Sequence, residues 1–224
     1  MRIDELEQVL TDGVHDPHIF KAVFMAGSPG AGKSTVSHML FGGKGLKVLN
    51  VDSFWHLYKQ QNKKGDYTRY WDLYKSQEKN FLDGRLGIII DGTAKNPERM
   101  AQVKADLEKM GYDTAMVFVN TSLATSLDRV TNRAQTPGKD QGRSVDAEFV
   151  KDAWEKTQKG LGALQSMFGG NFFIVDNNSN RKPNISYVDK AIRKWLNQKP
   201  TNPAAREWIS HQLNKRVKPN DADH

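Results

Sequence analysis

Apolar side chains recur along this chain in two rhythms. Short, nearly continuous runs occur at Phe20–Ala26, Leu46–Val51, Leu86–Ile90, Thr114–Val119 and Asn171–Val175, the pattern of strands buried on both faces of a parallel sheet. Between these runs the spacing becomes helical. Val36, Met39 and Leu40 share a face, and Gly42-Gly43 ends that helix. Asn96-Pro97 supplies an N-cap followed by proline at the first helical position, which predicts a helix over about 97–110. Helices are also predicted over 122–134 and about 146–167, with a Gly/Pro-rich loop at 135–145 between them. Ile3, Leu6, Val9 and Leu10 predict a short amphipathic helix, and residues 53–82 an irregularly helical, aromatic-rich cap. Past the fifth run, Asp176–Asn184 reads as an Asn/Ser-rich linker. Val188, Ile192, Trp195 and Leu196 then suit a helix packing back on the sheet. Trp208, Ile209 and Leu213 predict one or two further amphipathic turns beyond the break at Pro200–Pro203. Strands and helices in alternation give an α/β fold, a five-stranded parallel sheet with helices on both faces.

Composition narrows the class. The 224 residues and 38% hydrophobic content are enough for one domain with an appendage. With no cysteine, disulfides, thiolate zinc sites and cysteine nucleophiles are excluded. Apolar runs reach about five residues, far short of the roughly 20 needed to cross a bilayer, and Met1–Glu7 lacks a hydrophobic signal region. The expectation is a soluble, cytoplasmic protein with no membrane partner. The net charge of +7 is uneven: residues 181–224 hold ten Lys and Arg against four acids, a net of +6. The chain therefore divides into a near-neutral core over 1–180 and a basic C-terminal helical extension over 181–224. A basic extension is consistent with nucleic acid as a partner or with a solvated, solubilising tail.

The first run leads into Gly27-Ser28-Pro29-Gly30-Ala31-Gly32-Lys33-Ser34-Thr35. Gly27-x-x-x-x-Gly32-Lys33-Ser34 matches the phosphate-binding P-loop pattern, in the strand–loop–helix context that the pattern needs. Glycines let the backbone turn its N–H groups toward a β-phosphate, and the following helix adds its positive dipole end. Lys33 is placed to reach the β/γ-phosphates of ATP, and the Ser34 hydroxyl to ligate Mg²⁺. The whole stretch 27–35 is expected to hold the nucleotide.

Other residues decide the chemistry. A guanine-reading Asn-Lys-x-Asp is missing; the nearest match, Asn62-Lys63-Lys64-Gly65, lacks the carboxylate. Ile88–Ile90 leads to Asp91-Gly92, without the water-activating Glu of motor ATPases, which suits transfer to an organic hydroxyl. Asp52 follows the second strand at the sheet's carboxyl edge, as a general base or as a helix N-cap. Asp91 ends the third strand, where it can order the Mg²⁺ shell, hydrogen-bond the acceptor, or form a turn. Arg129 and Arg133 share a helix face, and Arg143 lies beyond the polar loop. Together they predict a lid over about 129–145 that brings guanidinium groups to the triphosphate, Arg129 as a nucleotide contact and Arg133 and Arg143 as catalytic groups.

These motifs resemble P-loop kinases of the polynucleotide-kinase and zeta-toxin type, over about residues 20–176. Asn50-x-Asp52-x-Phe54 is similar to the phage-type polynucleotide kinase segment whose first Asp is the general base, and Asn96-Pro97-Glu98-Arg99 to that family's helix start. Asp91-Gly92-Thr93 is closer to the zeta toxins' Glu-Gly-Thr, whose acid and threonine contact a sugar-nucleotide acceptor, and Arg143-Ser144-Val145 resembles their second lid arginine. Trp55 stands where polynucleotide kinases carry an arginine for the acceptor's phosphate. The resemblance implies a three-layer P-loop kinase fold with ATP and Mg²⁺ as cofactors. Asp52, Trp55, Asp91 and Thr93 would face the acceptor. That acceptor is expected to be a nucleic-acid hydroxyl (a 5′-OH or a base hydroxymethyl group). The alternatives are a UDP-sugar 3′-OH and a nucleotide-regulated binding module. An antitoxin partner is left open.

Overall fold

A computed structural model describes residues 13–50, 67–136, 145–179 and 182–217. Five strands, β1 (Lys21–Ala26), β2 (Lys47–Leu49), β3 (Ile88–Asp91), β4 (Asp113–Asn120) and β5 (Phe172–Asp176), form one sheet in the order β2-β3-β1-β4-β5. Every pairing is parallel. All six residues of the central β1 are buried, which accounts for the apolar run Ala22–Ala26; Lys21 at its start is buried with an ion-pair partner. The register aligns Val23 with Ile89 on one side and with Ala115 on the other.

Strand alternation sends β1 side chains into two cores. Val23 and Met25 join Val36 and Leu40 of α1 (Lys33–Phe41) and Val188, Ile192, Trp195 and Leu196 of α6 (Ser186–Leu196). Ala22, Phe24 and Ala26 face the other way, toward Leu107 of α3 (Pro97–Lys109), Leu164 of α5 (Ala147–Phe168) and Ala205 of α7 (Pro203–Val217). Two further helices are α2 (Tyr67–Asp83) and α4 (Leu123–Gln135). The predicted cap at Asn96 is present, accepting from the Arg99 N–H; Asp146, the predicted start of the long helix, also caps it, accepting from the Phe149 N–H. The predicted helix over 3–10 and residues 53–66 of the aromatic cap lie outside the described residues, and the rest of the cap is α2. Tyr74 of α2 is partly buried against the second core. Burial, aided by Glu78, raises its phenol to about 12.

The C-terminal segment is tied to both cores. Where the sequence predicted one or two turns past Pro203, α7 runs for 15 residues. Trp208 packs edge-on against Phe20, with ring centroids 5.5 Å apart. The α6–α7 loop is latched by Thr201, whose N–H and hydroxyl both donate to Asp113, and by Asn202 Nδ2, which donates to the Glu108 carbonyl. A truncation at residue 180 would therefore remove core side chains as well as charge.

Asp113 also pairs with Lys21 at 2.8 Å, their side chains 9% and 1% exposed, and the ammonium sits 4.8 Å from the Trp195 ring centre. Removing one member of such a pair leaves an uncompensated buried charge. Asp113→Ala is expected to cost about 3–5 kcal/mol in urea unfolding, and Lys21→Met in the same chain to restore much of it. Burial alone raises the Asp113 carboxyl, but hydrogen bonds from Lys21 and Thr201 outweigh it and hold the group below the ordinary 3.8. Its contribution is complete above about pH 4 and disappears as the pH falls through the lowered value. Acid titration of the variant should lack that component.

Candidate active site

The chain reaches β2 and β3 on one side of β1 and β4 and β5 on the other. The crevice at the strands' carboxyl ends therefore opens beside β1, where α/β folds bind ligands. Residues 27–32 lie there. Gly30 has φ +81°, and a Cβ on it would stand 2.4 Å from the Ser126 carbonyl oxygen on α4. Only glycine meets both conditions. Ser28 and Ser126 also share a hydrogen bond of 2.8 Å between their hydroxyls, so the loop is seated against the start of α4. Ala31 is fully buried, Pro29 is half-buried, and Ser34 and Thr35 are exposed.

α1 begins at Lys33 with no side-chain cap and no acidic residue in its first turn. Its first N–H groups are thus suited to an anion. Lys33 Nζ donates to the carbonyls of Gly27 (3.0 Å) and Ser28 (3.2 Å), which holds the ammonium over the loop.

Ser34 shares a cleft of about 390 Å³ with His38, Phe41, Asn50 and Asp91. Asn50 Nδ2 donates to Asp91 Oδ2 at 2.9 Å, joining the carboxyl ends of β2 and β3. A larger cavity of about 470 Å³ lies at the opposite edge of the sheet, near Lys104, Asp113 and Thr201, away from the phosphate loop. It is not the catalytic cleft.

After β3 the chain makes a constrained loop. The Gly92 N–H donates to the Met25 carbonyl, and Ala94 is buried at φ +54°, a strained conformation for a residue with a Cβ. α5 braces this loop: Thr157 Oγ1 contacts the Thr93 carbonyl at 3.2 Å, and Lys95 pairs with Asp152 while lying over the Phe149 ring. The structure thus brings Asp91 to the same cleft as Ser34, while Thr93 is fixed through its carbonyl to α5.

On α4, Arg129 Nη2 donates to the Ser179 carbonyl at 2.8 Å. Arg129 Nη1 and Arg133 Nε are buried without a hydrogen-bond partner among the described residues. Nη1 lies 3.9 Å from the position a Gly32 Cβ would take. Buried donors left unpaired are costly, and an anion at the loop would lie within reach of Arg129 Nη1. Asp52, Trp55 and Arg143 lie outside the described residues, as does most of the lid loop.

Sequence reasoning missed Ser126, Asn177 and Ser179. Asn177 and Ser179 were read as linker, yet Asn177 is only 6% exposed and its amide donates to the Ala31 carbonyl. No local pattern marks these contacts, because each joins positions 50 or more residues apart.

A parallel sheet in this order, a phosphate loop after its central strand and arginines on a helix beside that loop define a P-loop kinase. Solved structures share the fold. A candidate kinase from Chloroflexus aurantiacus J-10-fl is 15% identical at a TM-score of 0.58, covering 79% of this chain and 98% of its own. The PezAT toxin–antitoxin system of Streptococcus pneumoniae is 14% identical at 0.51, covering 98% and 99%. The Pnkp1/Rnl/Hen1 RNA repair complex is 18% identical at 0.51, covering 65% and 46%. Comparison with curated proteins gives no match. Residues 6–185 match the zeta toxin family, and the chain belongs to it. It is a phosphotransferase with an alcohol group as acceptor. No helix among the described residues is long and apolar enough to cross a membrane.

Proposed function

We propose that this protein transfers the γ-phosphoryl group of ATP to a hydroxyl of a small sugar-nucleotide-like acceptor. The observation that carries this reading is the open cleft beside the P-loop, about 390 Å³, lined in part by Ser34, Asn50 and Asp91. A cleft of that size suits a small molecule better than a polymer. Asp91-Gly92-Thr93 supports it through the family resemblance.

The residue roles follow from position. Backbone N–H groups of residues 27–35 and the α1 terminus would hold the phosphates, and Lys33 would neutralise charge between the β- and γ-groups. Arg129 would contact the nucleotide and Arg133, with Arg143, the transferring group. Asp52 would take the acceptor's proton, while Asp91, Thr93 and Trp55 hold the acceptor. Ser34 places a hydroxyl, the kind of hard oxygen donor that Mg²⁺ accepts, in the cleft, and it would hold that ion, which when bound offsets phosphate charge.

The second reading is a nucleic-acid hydroxyl as acceptor, favoured by the net +6 of residues 181–224. Against it, α6 and α7 lie on opposite faces of the sheet, since they feed different cores. Exposed Lys190, Arg193 and Lys194 of α6 and exposed Arg206 of α7 thereby lie on two different surfaces. γ-Labelled ATP offered with UDP-sugars, nucleosides, 5′-OH DNA and RNA, and hydroxymethyl-modified DNA separates the readings. Label is expected on a UDP-sugar. Label on DNA or RNA alone would overturn the small-acceptor reading, and ATP binding without transfer to any of them would favour a binding module.

A further inference from the structure

We infer that Asn177 is a positioning residue of the phosphate loop: its side-chain amide sets the orientation of the Ala31–Gly32 peptide and so of the Gly32 N–H offered to a nucleotide's phosphates. The inference rests on the reading of residues 27–35 as a triphosphate cradle. Asn177 directly follows β5, is 6% exposed, and donates from Nδ2 to the Ala31 carbonyl at 2.7 Å. A trans peptide is planar, and its C=O and N–H point in opposite directions. Anchoring the Ala31 oxygen on Asn177 therefore turns the Gly32 N–H away from Asn177. Gly32 has φ +86°, and a Cβ there would lie 2.3 Å from Asn177 Nδ2. The glycine and the amide thus occupy one space that neither could share with a side chain at 32.

Asn177 is itself held on both sides. Its N–H donates to the Asn120 carbonyl at 2.9 Å, and its own carbonyl accepts from Thr121 Oγ1 at 3.3 Å. The next two residues extend the strut to the arginine helix. Asn178 Oδ1 accepts the N–H of Ser122, the residue that caps α4, and the Ser179 carbonyl accepts from Arg129. Three consecutive residues thereby connect the sheet's end, the phosphate loop and the guanidinium beside it. The chemistry requires a neutral donor at 177. Leucine would leave the Ala31 carbonyl without its partner, and aspartate would set an acceptor against it.

The test is calorimetric titration of the full chain and its Asn177→Leu and Asn177→Asp variants with ADP and with inorganic tripolyphosphate, well below each protein's Tm. A hydrogen bond to a charged group corresponds to a factor of about ten or more in affinity, so both variants should bind both probes about tenfold more weakly. Asn177→Asp should be the weaker of the two. A purely structural role would lower the Tm but leave the affinity of the folded protein unchanged, and that outcome would overturn the inference. Failure of the wild type to bind either probe would instead overturn the cradle reading. If neither variant folds, the wild-type Asn177 side-chain NH₂ resonances in the ADP complex decide. Exchange protection of the Nδ2 proton that faces the Ala31 carbonyl supports the anchor, and exchange at the rate of a free amide rules it out.

Discussion

Lys33→Ala is expected to lower phosphoryl transfer by about 10³-fold or more, the scale seen when a cationic group is removed from a phosphoryl-transfer site. The geometry explains the size. Lys33 is held at 3.0 and 3.2 Å from the Gly27 and Ser28 carbonyls, so the ammonium is positioned over the loop before any nucleotide arrives. A charge fixed beforehand acts on the transition state without reorganisation, in a crevice where the effective dielectric is below that of water. Lys33→Arg should not restore the rate, because a planar guanidinium cannot occupy the site of a compact ammonium. Lys33 lies in the first turn of α1 and enters neither core, so unfolding curves of the variant should overlay those of the wild type. Single-turnover rates with the acceptor found in the panel provide the measurement. A rate within tenfold of wild type would remove Lys33 from the transfer step.

Asp52→Asn is expected to lower kcat by about 10²–10⁴-fold, the usual contribution of a general base, while ATP affinity stays within a factor of about two. The substitution separates the two readings of this residue. Asparagine caps a helix about as well as aspartate, so a capping role predicts unchanged turnover, whereas a base cannot be replaced by an amide. Asn50, two residues before Asp52, reaches Asp91 at 2.9 Å across the carboxyl ends of β2 and β3, in the cleft that also contains Ser34. Unchanged kcat in Asp52→Asn would leave Asp91 as the carboxylate to test next.

Both predictions come from local motifs, and such motifs were where the sequence was most legible. The five strands were readable because each is a short apolar run, buried on both faces in β1 and β4 and only in part in the edge strands β2 and β5, with ends within two residues of those expected. Helix starts at Asn96 and Asp146 were readable because capping is a contact over three residues. The length of α7 was not: its interior side contacts Phe20 and Gly111, about ninety residues and more away. The supposed linker failed for the same reason. Asn and Ser are turn residues by local preference, and at Asn177–Ser179 long-range partners overrode that preference.

The +6 over residues 181–224 illustrates the division. Its presence is plain in the composition, but its arrangement is not, since helical periodicity shows which face is apolar and not which side of the sheet receives it. Sequence alone determined the strand–loop–helix phosphate site, the parallel α/β class and the kinase reading, because each depends on residue types at short, fixed spacing. Only the tertiary structure decided that Ser126, Asn177 and Ser179 support the loop and the arginine beside it. It also placed Asp91 with Ser34 in one cleft and set the two basic helices on opposite faces. Those facts depend on pairing between distant segments, which is set by packing the whole chain at once.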